Sequence, residues 1–167
     1  NFSNSLLVGT SSTGTLSSAD GNTGVGIGVF GALTSGDNNV AVGLNALDVN
    51  TTGSENVAVG MGALDTNTTG AGNISIGCGS MSANVSGNYN VAIGRCALDT
   101  SVSGSANVAI GDRALYTNTA SYNTSVGFFS LAANTTGETN VAVGQNSLAA
   151  NTTGARNTGI GQNALLV

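Results

Sequence analysis

Histidine is absent, and with it every Ser-His-Asp or Cys-His arrangement for nucleophilic catalysis. Lysine and proline are absent too. The basic residues are Arg95, Arg113 and Arg156, scattered and outnumbered by eight Asp and Glu. Such a chain offers no surface that neutralises a run of phosphates, so neither nucleic acid nor an anionic membrane is expected as a partner. Charged residues make up 7% of the chain, where a globular domain carries about 25%. No apolar run approaches the roughly 20 residues of a membrane helix. The opening "NFSNSLLVGTSS" lacks a basic n-region and an initiating Met, so a mature product or a piece of something longer is expected. Cysteine is scarce. Cys78 and Cys96 form no C-x-x-C pair and have no histidine to share a metal, so they read as two small buried hydrophobes.

Bias of this kind often means disorder, but disordered chains are rich in charge and proline and poor in β-branched residues. Here Val and Ile recur at set places among 26 glycines. The stretch "NVAVGLNALDVNTTG" at 39–53 returns as "NVAVGMGALDTNTTG" at 56–70 and as "NVAVGQNSLAANTTG" at 140–154. Units start at Ser5, Asn22, Asn39, Asn56, Asn73, Asn90, Asn107, Asn123, Asn140 and Asn157. The spacing is 17 residues throughout, except for 16 between Asn107 and Asn123. No linker interrupts the units, so residues 1–167 read as one repeat domain, with 1–21 a degenerate first coil and regular coils from about residue 22.

Each column of the repeat has its own chemistry. Gly43, Gly60, Gly77, Gly94 and Gly111 stand four residues after their unit starts, each preceded by Val42, Val59, Ile76, Ile93 or Ile110. Leu47, Leu64, Leu98 and Leu115 form a large apolar column that also holds Phe30 and Met81. Val-Ala-Val has the two-residue period of a short strand. The glycine after it marks a bend that needs φ > 0 or no side chain. Asn-Thr-Thr-Gly reads as a turn. A helix is excluded by the density of Gly, Asn and β-branched residues. Strand, bend, strand, turn in seventeen residues is one coil of a parallel β-solenoid, all-β and of about ten coils, each burying its apolar face on the next. Stacking superposes like residues. It predicts an inner Val/Ile/Leu ladder and an outer ladder of Asn50, Asn67 and Asn84, resumed at Asn118, Asn134 and Asn151. The short unit "NVAIGDRALYTNTASY" keeps its strand and leucine, so its deletion falls in the turn.

The run "NVAVGxxALxxNTTGxxN" resembles the head repeats of trimeric autotransporter adhesins, and also the longer repeats of tail-fibre-type proteins of phages and bacteria. The resemblance spans residues 22–167. It implies a left-handed β-roll packed side by side as a homotrimer, located outside the cell or on a virion, that binds host surfaces, glycans or matrix. The coil is longer than the adhesin repeat, and no neck motif, stalk or anchor is present in the sequence. Independently, Ala41, Ala58, Ser75, Ala92, Ala109, Ser125 and Ala142 alternate with the Val/Ile column and are expected to face outward, as a flat strip suited to another chain.

Other chemistry is sparse. "GVGIGVFG" at 24–31 lacks the lysine and the helix of a phosphate loop. Asp48 and Asp65 share a column and would stack about 5 Å apart. They are the one candidate Ca²⁺ pair, although ladder stacking accounts for them as solvated acids, and no cofactor or catalytic set is expected. Sequons occur at Asn1, Asn50, Asn67, Asn73, Asn84, Asn123, Asn134 and Asn151, open to glycan only in a eukaryotic secretory host. The expected function is a non-enzymatic structural or adhesive module of an extracellular fibre. The alternatives are a filament subunit stacking end to end, favoured by apolar, uncapped first and last coils, and an ice-binding solenoid using the turn threonines.

Overall fold

The computed structural model describes residues 5–9 and 18–166. Its ten strands are β1 (Leu6–Val8), β2 (Thr23–Val25), β3 (Val40–Val42), β4 (Val57–Val59), β5 (Ile74–Ile76), β6 (Val91–Ile93), β7 (Val108–Ile110), β8 (Thr124–Val126), β9 (Val141–Val143) and β10 (Thr158–Ile160). They form one parallel sheet in sequence order. Register follows the repeat, so Val40, Val57 and Ile74 are partners, as are Ala41, Ala58 and Ser75. The protein is an all-β parallel solenoid of about nine turns. Nine steps of about 4.8 Å make the sheet about 43 Å long. Between strands, each loop also bonds its neighbours: Leu47 N–H donates to Ala63 O at 3.1 Å and Thr51 N–H to Thr68 O at 3.0 Å.

The faces are the reverse of the expectation. Ala41, Ala58, Ser75, Ala92, Ala109, Ser125 and Ala142 are fully buried. Val42, Ile76, Ile93 and Ile110 face solvent, and Val59 is half-buried. The interior is thin, and the leucine column fills the space opposite the strand. At coil 2 that column holds Phe30 and the strand centre is Gly24, where an added Cβ would lie 3.1 Å from the Phe30 ring. A larger ring is matched there by a smaller strand residue, and from β2 onward every strand centre is Gly, Ala or Ser, with the flanking pair turned out. The presumed outer ladder also lies inside: Asn50, Asn67, Asn84, Asn118 and Asn134 are fully buried, and Asn151 is half-buried.

A second strand was expected over the Ala-Leu segment, and none forms there. Leu47, Leu64, Leu98 and Leu115 all adopt φ of 51–52°. That is left-handed backbone, incompatible with an extended strand and disfavoured by about 1–2 kcal/mol for an L-residue. Full burial of leucine, about 1.5–3 kcal/mol, offsets it. β-Branched side chains fit this conformation worst, and among the described residues the column holds only Leu, Met and Phe. The strand glycines behave as expected, with φ of 139° at Gly60, where a Cβ would also meet Gly77 O at 2.5 Å. Gly43, Asn45, Leu47 and Glu55 are the four left-handed residues that close one coil.

Candidate functional site

Two asparagine ladders hold the coils together. In the first, each unit-start Asn accepts from the next. Asn39 Oδ1 receives the Asn56 backbone N–H at 3.0 Å and Asn56 Nδ2 at 3.2 Å. In the second, Asn67 Nδ2 donates to Asn50 Oδ1 and Asn84 Nδ2 to Asn67 Oδ1, both at 2.8 Å. The ladders meet at one carbonyl per coil: Gly53 O accepts Asn39 Nδ2 at 3.0 Å and Asn50 Nδ2 at 2.9 Å. This explains the second glycine, which is not left-handed. A Cβ on Gly70 would lie 2.5 Å from Gly87 O. The unit-start ladder was missed by the sequence reading, although its signal, an Asn opening every unit from residue 22, was in plain view.

Two irregularities mark coils 6 and 7. Ser101 occupies an Asn position of the second ladder, fully buried, with an Oγ that has no partner. In the 16-residue coil, Ala120 O takes the place of the glycine carbonyl, accepting from Asn107 Nδ2 at 2.9 Å and Asn118 Nδ2 at 2.8 Å. The missing residue therefore lies between Asn118 and Ala120, within the turn.

The ladders also decide the sequons. The amides of Asn50, Asn67, Asn73, Asn84, Asn123 and Asn134 are buried donors. Asn151 Nδ2 donates to Asn134 Oδ1 and Gly154 O. None of these nitrogens is free in the folded coil; Asn1 lies outside the described residues. The turn threonines are likewise engaged. Thr51 Oγ1 donates to Thr68 O at 2.9 Å and Thr68 Oγ1 to Val85 O at 3.2 Å.

In the acidic column, burial pushes the Asp65 carboxyl above its ordinary value, and the charge of Asp48 adds to the shift. Farther along, Ser82 Oγ donates to the Asp99 carboxylate. Among the described residues, no group of three or more His, Cys, Asp or Glu side chains stands close enough to hold a metal ion, and no cavity is found.

The strand face carries an apolar column. Val8, Val25, Val42, Ile76, Ile93, Ile110 and Ile160 are exposed along one column, with Leu6 and Ile74 exposed on the column beside it. Exposed Ile27, Leu44 and Met61 widen this apolar face over coils 2–4. In later coils that added column becomes Cys78, then Arg95 and Asp112, which form an ion pair at 2.8 Å.

Cys78 is exposed and Cys96 half-buried, so neither is the core residue expected. The backbone N–H of Cys96 donates to Cys78 O at 3.0 Å. Burial raises the Cys96 thiol pKa, with a further push from Asp99, while Arg95 and Arg113 pull it down. No family model, curated protein or solved structure matches this chain.

Proposed function

We propose that this solenoid is a non-enzymatic structural or adhesive module of an extracellular fibre, of the adhesin-head or tail-fibre-shaft kind, whose copies pack side by side as a homotrimer. One observation carries the reading: a column of outward-facing Val and Ile runs from Val8 to Ile160, flanked by a second column that is Leu, Val or Ile except at Thr23, Thr124 and Thr158. Soluble monomers rarely expose contiguous apolar patches beyond a few hundred Å². This face replaces the Ala/Ser strip as the association surface. Left-handed coiling and threefold packing belong to the same proposal and rest on the repeat resemblance. Light scattering after size exclusion tests it. A mass three times the 16.1 kDa protomer is expected, collapsing to one protomer in an Ile76→Lys, Ile93→Lys double variant with unchanged circular dichroism. A parent chain that stays monomeric at high concentration overturns the reading.

A second reading is end-to-end stacking, because every neighbouring pair of coils is joined through the same parallel register and a coil of another copy could pair in the same way. It predicts filaments that lengthen with concentration in electron micrographs. Ice binding is the less favoured alternative, because Thr51 and Thr68 donate their hydroxyls to the next coil. A thermal-hysteresis measurement separates it from both.

A further inference from the structure

We propose that Cys78 and Cys96 are a cross-coil disulfide site, a covalent staple between the fifth and sixth coils. Their separation of 18 residues is one coil plus one position, so they are diagonal neighbours on adjacent rungs. The 3.0 Å bond from Cys96 N–H to Cys78 O joins the two backbones directly. Diagonal neighbours joined in this way have Cα atoms about 5–6 Å apart, within the span a disulfide bridges.

The side-chain setting points the same way. The position below Cys96 in its own column is Gly79, and the only heavy atom within 4 Å of a Cβ built there is Cys96 Sγ, at 3.6 Å. The Cys96 thiol therefore leans over the residue adjoining Cys78. Both thiols are at least partly open to solvent.

The oxidant is a low-molecular-weight disulfide such as oxidised glutathione. The thiolate of exposed Cys78 attacks one of its sulfurs, forming a mixed disulfide and releasing one glutathione thiolate. The Cys96 thiolate then attacks Cys78 Sγ and expels the second glutathione. Two protein thiols are oxidised to one disulfide, one glutathione disulfide is reduced to two thiols, and the two protons leave with them.

The test uses the full chain, reduced and then incubated with oxidised glutathione under native conditions. Residual thiols are blocked before denaturation, and the mass is measured intact and after trypsin. The chain has no lysine, and Arg95 immediately precedes Cys96, so cleavage there places the two cysteines in different peptides. The expected result is a loss of two hydrogens, no retained glutathione, and peptides 1–95 and 96–113 linked until reductant is added. Cys78→Ser and Cys96→Ser variants should each retain one glutathione instead. Two blocked thiols, stable glutathione adducts on both cysteines of the parent, or a linkage formed only in denaturant would each overturn the proposal. The oxidised chain is also expected to melt at a higher temperature than the reduced one, the difference disappearing with reductant.

Discussion

Asn56 Oδ1 accepts two hydrogen bonds from Asn73, one from its backbone N–H at 3.0 Å and one from its Nδ2 at 3.1 Å. Asn73 Nδ2 also donates to Gly87 O at 2.8 Å, and Asn73 Oδ1 receives the same pair of donors from Asn90. Both residues are fully buried. One amide thus joins three coils and ties each strand to the far end of its own coil.

Asn73→Ala should be severely destabilising, by about 3 kcal/mol, because it leaves buried donors on Asn90 without an acceptor. The check is the urea midpoint of the variant. Asn73→Asp should also fail, since a carboxylate keeps the acceptor but cannot donate to Gly87 O. A loss under about 0.5 kcal/mol in either would show that the ladder is dispensable.

Ser101 is the converse case. Its buried Oγ has no partner, and it interrupts the second ladder between Asn84 and Asn118. Ser101→Asn is expected to stabilise the solenoid by about 1 kcal/mol, its new amide donating to Asn84 Oδ1 and to Gly104 O. A lower urea midpoint in this variant would mean that coil 6 has no room for the amide.

Leu98 is buried at φ 52°. Leu98→Met should lose less than about 1.5 kcal/mol, as volume-conserving core changes do. Leu98→Ile keeps volume and polarity as well, yet should lose about 1–3 kcal/mol more, because branching at Cβ is poorly compatible with left-handed backbone. Equal melting temperatures for the two variants would refute the conformational explanation of the column.

Asp65 gives a pH dependence whose sign is set by its raised pKa. The folded chain holds that proton more tightly than the unfolded chain, so stability falls as pH rises through the carboxylate range. At neutral pH the ionised group is a liability. Asp65→Asn should therefore stabilise at pH 7, by less than about 1 kcal/mol given the group's exposure. The advantage should vanish below about pH 4. Burial is the larger cause and Asp48 the smaller, so Asp48→Asn should help less. An Asp65→Asn gain that is independent of pH would exclude the electrostatic origin.

Much of the fold was legible because the repeat is its own template. A 17-residue period puts Val40 beside Val57 and Ala41 beside Ala58 whatever the cross-section of the coil, and the register follows. Glycine after the strand announced a position that only glycine fits. The association surface was not legible in the same way. It was assigned to Ala41 and its column, and the structure buries that column. The cysteines were read as core residues although the 17-residue period already sets residues 78 and 96 on adjoining rungs; what the period does not show is which way that segment faces, and the structure leaves Cys78 exposed and Cys96 half-buried.

The sequence by itself determined the period, the strand positions and the stacking order, because parallel pairing of identical segments is satisfied in only one register. It did not determine which side of the strand is inside. Val-Ala-Val alternates equally well in either sense, and hydrophobicity alone favours burying valine. Tertiary structure decided otherwise. With a left-handed leucine reaching across a thin coil and two asparagine ladders filling the remainder, the strand centre from β2 onward is alanine, serine or glycine, and valine is left on the surface.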